Sequence, residues 1–548
     1  MSNKAFYALF GVGIVVLLPA LFITGYFCDD WVWLWVVAKE GSQAVFNYLL
    51  QVSHPGYWVP MALFFKVGGE YAGSVARLSG IICHIINSIL LYRILGGSKL
   101  TYGISGFAAI IYLLSPFYYL RGTMSHNIYD IFMLCALLSI YLMIAEKKYS
   151  VFAALPFLIM SLSHEALLAM EPLRILYVYG QDNNLKNTVK RCLPFWITII
   201  IFIIIRFTLL KPYGLYEGYN EIHISLKAFL DNLIAHFLYY PDALGFSLVS
   251  ATKMLPGSED IMVFVNEIAR RLTMLRMYPS IGYLFLALLS TIFIYKSIGK
   301  VQGRIAFKFP GVTTSRVFIA IVLIVLGAVP FAAAGRIPYL HDINSRFAYV
   351  SIPGISILMA SFIGAIRYPK LRMFILGCMV IIFGLTSLQV SKWYIYDSLM
   401  QRDLNIQMAQ MIPSGNENLP MFYLSYYPHS NSILALYRNL RSYEMNIPIN
   451  MKRNEKEPHI FLYNDAWPRE SKNFYCTISN YDRYPCPAET AKLDYKLLPE
   501  YSSVEKVPYW LLIKSVFASN ENMLRMGNLT NPDGWLERHR RRVEKTAS

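Results

Sequence analysis

Residues 5–26 are almost uninterruptedly apolar, and stretches of about 20 such residues recur along the chain. No other feature constrains the fold as much. Runs of that length hide either in lipid or inside a protein, and one soluble core cannot take so many. The 548 residues are 55% hydrophobic and 15% charged, against roughly a quarter charged in soluble domains. The chain therefore reads as mainly α, a polytopic transmembrane helix bundle in a lipid bilayer. Aromatic residues gather at run ends (Trp31, Trp33, Tyr57, Trp58, Tyr118, Tyr119), as an interfacial belt requires. The first run has no Ala-x-Ala-like cleavage site and reads as a retained signal anchor.

The net charge of +16 does not point to nucleic acid. Lys and Arg are spread over short loops, where they report topology and meet lipid headgroups. Lys4 places the N-terminus on the cytoplasmic side. Span 5–26 leaves, and 27–70 forms an external loop. Spans 71–95, 102–119 and 127–145 follow, with Arg93, Lys99, Lys147 and Lys148 marking the inside. Residues 150–178 are too long for one span, and both flanks are basic. They read as a hairpin of two short helices with its tip at Ser163-His164-Glu165. Span 193–212 leaves, and parts of the external segment 213–277 lie flat as amphipathic helix. Spans 280–297, 316–335, 346–366 and 373–391 complete about 11. Residues 1–391 thus form the membrane domain, and 392–548 a smaller extracytoplasmic mixed α/β domain. Strand-like runs there are Met421–Tyr423, Ile460–Tyr463 and Trp510–Ile513. If that tail is outside the cytoplasm, Cys476 and Cys486 either close a short disulfide loop or stay as thiols.

Directly after the first span stand Asp29-Asp30-Trp31, two carboxylates where lipid ends. Such groups are costly beside lipid and mark function by default. His54-Pro55-Gly56-Tyr57-Trp58 follows in the same loop. The hairpin tip holds Ser-His-Glu. A late external loop runs from Gly335-Arg336-Ile337-Pro338-Tyr339 to Ser345-Arg346-Phe347. In order and sidedness these features resemble the GT-C membrane glycosyltransferases: protein mannosyltransferases, the lipid A aminoarabinose transferase and bacterial O-antigen glucosyltransferases. The resemblance covers roughly 1–391. At the hairpin tip His164 stands where those enzymes have lysine.

The resemblance implies transfer of a sugar from a polyprenyl-phosphate carrier, such as undecaprenyl phosphate, to a glycan acceptor such as O-antigen, with inversion. It implies a bacterial inner-membrane location, and partner proteins that make and flip the carrier. Asp29 and Asp30 are the catalytic candidates, since attack on C1 of a sugar phosphate needs a carboxylate beside the incoming hydroxyl. Asp29 is the base by position in the family pattern. Asp30 orients it, or the two share a divalent cation. His54, Tyr57 and Trp58 suit a sugar site, although Tyr and Trp also serve as interfacial anchors. Arg336 and Arg346 suit the carrier phosphate, with His341 as an added donor. Arg206 and Lys211 are secondary phosphate candidates. His164 and Glu165 meet the phosphate or the acidic pair. Arg77 and His84 share one helix face and suit a structural polar network or a catalytic one equally, while Arg121, His126 and Asp130 read mostly as structural, with Asp130 a candidate second acidic site. Glu171 and Arg174 satisfy each other. A transporter or flippase for a lipid-linked sugar, or an O-antigen ligase or polymerase, is the alternative.

Overall fold

A computed structural model describes residues 3–143 apart from 28 and 99, and 150–254 apart from 215–216 and 218–224. It further describes 262, 265–270, 311–411 apart from 341–342, the strands named below, and parts of 490–541. The expected span 280–297, His341 and Cys486 lie outside the described residues.

The protein is mainly helical. Fifteen described helices matter here: α1 (Asn3–Leu17), α2 (Asp30–Glu40), α3 (Ser42–Gln51), α4 (Trp58–Gly68), α5 (Ala72–Gly96), α6 (Ser105–Leu114), α7 (Met124–Leu142), α8 (Ser150–Ser161), α9 (Glu171–Asp182), α10 (Leu185–Thr208), α11 (Leu226–Lys253), α12 (Gly311–Ala333), α13 (Ile352–Ala365), α14 (Pro369–Met411) and α15 (Tyr509–Val516). Six described helices are long and apolar enough to cross a membrane: Ala72–Gly96, Met124–Leu142, Leu185–Thr208, Ser315–Ala333, Asn344–Ala365 and Pro369–Met411. Along α10 the side chains of Ile197, Ile200, Ile201, Ile204 and Phe207 are exposed. Water does not tolerate so long an apolar stripe, and lipid covers it without cost.

Two expected spans are shorter than their apolar runs. Helix α6 stops at Leu114, because Pro116 disfavours helix at Ser115. Phe117, Tyr118, Tyr119 and Leu120 then continue as buried irregular chain. Such backbone is tolerated at membrane depth only when packed in protein. Helix α1 likewise gives way to a 3-10 turn at Leu18–Phe22, with Pro19 in its first turn.

Contacts between helices define two ends of the bundle. At one end Gln181 donates to Gly97 O, Arg191 pairs with Asp182 at 2.8 Å and donates to Met143 O, and Arg316 donates to Leu100 O. The ends of α5, α7 and α9 thus meet the starts of α10 and α12. The chain reverses there through Asn183, left-handed at φ 47°, and Asn184, whose side chain caps α10. At the opposite end Ser163 sits so close to Gly56 that a Cβ on Gly56 would collide with it. The α8–α9 hairpin therefore leaves and re-enters the same end, with its break at Ser163-His164.

Three regions differ from the sequence expectation. Residues 30–68 are not a plain loop but the helices α2, α3 and α4. Val32, Trp35, Val36, Val45, Leu49, Met61 and Phe64 recur at helical spacing and are buried. Gly41, at φ 82°, makes the one-residue turn between α2 and α3. Helix α11 does not lie on the surface: Leu233, Tyr239, Ala243 and Phe246 are buried, Tyr239 donates to Phe117 O, and Ser247 O accepts from Thr386. Trp510–Ile513 is not a strand but part of α15, since an apolar run of four does not separate strand from helix.

Helix α14 continues past residue 391 to Met411 and is about 65 Å long, twice the roughly 30 Å of a hydrocarbon core. Beyond it, β1 (Met421–Tyr426), β2 (Phe461–Asn464), β5 (Thr490–Leu497) and β6 (Gly527–Thr530) form a sheet in the order β2-β1-β5-β6. β1 is parallel to both neighbours, and β6 is antiparallel to β5. β3 (Tyr475–Cys476) and β4 (Tyr484–Pro485) pair separately. Asp403 of α14 accepts from Tyr495 OH at 2.7 Å and from the N–H of Met526 and Gly527 at 2.9 and 3.0 Å. Gln407 adds bonds to Gly527 O and Leu529 N. Five residues before Asp403, Ser398 accepts from Gly25 N. The sheet is thus fastened at the Asp29 end of the bundle.

Candidate functional site

The two adjacent aspartates have different surroundings. Asp30 is fully buried and accepts from the N–H of Phe27 at 3.2 Å, Met124 at 2.7 Å and Ser125 at 2.8 Å. Met124 and Ser125 open α7, so the carboxylate caps that helix and meets the positive end of its dipole. Burial raises the Asp30 pKa, while the N–H donors pull it down. The neighbouring clamp has the opposite charge. Arg77 of α5 is buried and donates to Gly25 O at 3.0 Å and Gly122 O at 2.8 Å. Asp30 and Arg77 together tie the link 23–27 to the start of α7. Asp29, at the N-terminus of α2, is only half-buried. Of the pair, Asp29 is the one a solvent-borne hydroxyl can reach.

Around this anchor the first turns of α7 carry a set of polar and aromatic side chains. Nδ1 of His126 lies 2.8 Å from Thr123 Oγ1 and 3.1 Å from Ser125 Oγ, and Arg346 reaches its Nε2 at 3.5 Å. One turn on, Tyr129 stacks on His164 with ring centroids 4.7 Å apart and 17° between planes. The Nδ1 atom of His164 meets Tyr57 OH at 2.8 Å. The ring of His54 lies 5.4 Å from that of Tyr57. Burial lowers the His54 pKa, Arg206 and Arg346 lower it further, and Glu165 opposes them. Glu165 itself is paired with Arg206, which also donates to Leu210 O.

The turn that presents His54 is built by the end of α3. His54 N–H bonds to Leu49 O and Ser53 N–H to Leu50 O, with Ser53 left-handed at φ 67°. That is a Schellman ending with serine where glycine is favoured. Tyr57 and the hairpin tip meet because Gly56 has no side chain.

The structure therefore brings His54, Tyr57, His164, Glu165 and Arg206 into one group. Arg346 joins the group through His126. Arg336 is half-buried near the end of α12, and its N–H bonds to Phe331 O. Lys211 is exposed beyond the end of α10. Trp58 donates to Ser42 O and ties α4 to α3. His126 and Tyr129 form the hub of the group. The signal was their position in the first two turns of α7, three residues apart on one face.

Deeper in the bundle lies a second polar network. Asp130 accepts from Tyr349 OH at 2.8 Å and meets His84 Nδ1 at 2.9 Å. Arg121 lies 2.9 Å from His84 Nε2, and Asn87 donates to Asp130 O. His84 Nε2 also lies 3.1 Å from Leu113 O. The network joins α5, α7 and the 3-10 segment Ile343–Ser351 that carries Arg346.

No group of three or more His, Cys, Asp or Glu residues fit to hold a metal ion occurs among the described residues. The donor set does not fit a cation between Asp29 and Asp30, because the Asp30 carboxylate faces three N–H donors. The four described cysteines are thiols, and the Cys476–Cys486 pair is outside what can be described. No family model, no curated protein and no solved structure matches the chain.

Proposed function

We propose that the protein is a membrane glycosyltransferase that moves a sugar from a polyprenyl-phosphate carrier to a cell-surface glycan. The carrying observation is the convergence at one bundle end of a half-buried carboxylate, Asp29, with the Arg346–His126 contact and an aromatic group around His164. Asp29 takes the proton of the acceptor hydroxyl. The hydroxyl oxygen attacks C1 of the sugar from the face opposite the carrier. The C1–O bond to phosphate breaks, and its electron pair leaves with the carrier phosphate. Arg346 stabilises the charge that grows on that oxygen. Inversion at C1 follows. Arg336 and Lys211 hold the carrier headgroup at the membrane edge. In this reading the end bearing Asp29 and the C-terminal sheet faces away from the cytoplasm of a bacterial cell, and the carrier arrives already flipped.

The test is the mass profile of surface glycan in cells carrying the gene, the Arg346→Ala variant or an empty vector, at matched protein levels. A hexose-sized addition that needs Arg346 supports the proposal. An unchanged glycan in all three removes it. One observation favours a transporter of a lipid-linked sugar instead: the ionisable network of buried Asp130 and His84 with half-buried Arg121, since such groups inside a bundle often mark a transport path. Uptake or flipping of a labelled lipid-linked sugar into vesicles, lost in Asp130→Asn, would select that reading.

A further inference from the structure

Away from the site, helix α15 of the C-terminal part has two unlike sides. Leu512, Ser515 and Val516 are buried, and the helix packs on α14. On the other side Trp510 is 66% exposed and Phe517 72% exposed, with exposed Lys514 between them. Residues 510, 514 and 517 follow the i, i+4, i+7 spacing of a single helix face. Just past the helix end, Arg402 of α14 donates to Ala518 O at 3.0 Å. The buried side and this bond hold the helix in one rotation, so the two rings stay outward. Large apolar side chains gathered on a surface mark a place of contact. The position of the face says with what. The Phe517 ring meets Phe22 edge to face, with centroids 5.9 Å apart. Phe22 ends the apolar helical run that starts at Phe6, and Val15 and Leu18 are exposed in the turns before it. Lipid covers an apolar helix surface of that kind. The outward face of α15 thus continues the lipid-facing surface of the first span, at the end where that span stops.

We propose that α15 is an interfacial helix, which seats Trp510 and Phe517 at the headgroup–acyl boundary of the leaflet at the Asp29 end. Lys514 lies between the rings, where a lysine reaches lipid phosphate while its stem stays along the apolar face. Tryptophan prefers this depth, since its ring is apolar and its N–H is wet. The occupant is phospholipid and not a second copy of the chain. Two rings offer at most about 500 Å², short of the roughly 800 Å² per partner in a stable protein interface. The C-terminal sheet then has two holds. Asp403 and Gln407 fasten it to α14, and α15 rests it on the bilayer. This holds whether or not the chain transfers sugar, and needs only that the bundle lies in a membrane.

Photolabelling of the full chain in phosphatidylcholine nanodiscs decides this. The probe is a phospholipid with a diazirine on the acyl chain beside the glycerol. Light expels N₂ and leaves a carbene, which inserts into neighbouring C–H bonds, and mass spectrometry of the digest locates the adducts. Ile200 and Ile204 of α10 serve as the lipid-exposed reference. The expected result is adducts on Trp510 and Phe517 within about threefold of the reference yield. The double variant Trp510→Ser, Phe517→Ser should carry about fivefold fewer adducts on 508–519, with the reference unchanged. Should that variant fail to fold, the wild-type adducts decide alone. Adducts on α10 with none on 508–519 of the wild type would put the face in water and overturn the proposal. Adducts on 508–519 that appear in discs holding one copy and vanish in discs holding two would assign the face to a second copy, and would overturn it as well.

Discussion

The joint around Arg174 and the ring cluster around Phe331 both lie in the helix bundle, yet they are built differently. Arg174 is 1% exposed, and its donors are occupied: Nε and Nη2 on Glu171, Nη1 on Ser139 O, and Nη2 again on Ser139 Oγ. Its guanidinium carbon also lies 4.1 Å from the centroid of the Phe195 ring. One residue thereby fastens α9 to α7 and α10. Around Phe331, Nε2 of His164 and Nε2 of His236 are buried without partners among the described residues. A charge left open in that way would be intolerable in the first region. In the second the orphaned groups are neutral, which costs less. At Arg174 the satisfied donors hold three helices together.

Removing Arg174 should have the largest effect on stability. Arg174→Ala strips half-buried Glu171 of its cation and removes the bonds to Ser139, and is expected to lower unfolding free energy by about 2–4 kcal/mol. Thermal unfolding in detergent measures this. A shift too small to resolve would mean that Arg174 is not a structural joint, and the contrast between the two regions would collapse. Arg346→Ala should act in the opposite way. We expect about 10²–10³-fold slower transfer with little change in unfolding temperature, because Arg346 is half-buried beside the site. Lost stability with normal transfer would move it to the structural region. The smallest effect sharpens the boundary between them. Ser53→Gly relieves the left-handed serine at the end of α3 and should stabilise the chain by about 1 kcal/mol. Destabilisation would show that the Ser53 hydroxyl itself matters at the turn before His54.

Much of the bundle was legible because lipid imposes length. Runs near 20 residues flanked by basic loops mark the long helices, and the polar Ser163-His164 inside an apolar stretch marks the hairpin break. Glu171 and Arg174 pair as their three-residue spacing suggested. So do β1 and β2, which cover two of the apolar runs in the tail. Long-range partners were not legible. Asp30 looks identical to Asp29 in sequence, and its role is set by N–H groups 94 and 95 residues away. His236 lies on a helix of moderate hydropathy, and nothing local shows that its ring faces Phe331 from another element. The helices of 30–68 were hidden because a membrane loop and a short amphipathic helix share the same composition.

The division of labour between Asp29 and Asp30 is the centre of the account, and one paired measurement addresses it. Transfer activity and unfolding temperature would be read for Asp29→Asn and Asp30→Asn in the same membranes. The account predicts that Asp29→Asn lowers transfer about 10²–10⁴-fold at an unchanged unfolding temperature. Asp30→Asn should lower the unfolding temperature, because an amide NH₂ then faces N–H donors at the start of α7. The reverse pattern, a stable inactive Asp30→Asn beside an unstable or fully active Asp29→Asn, would contradict it.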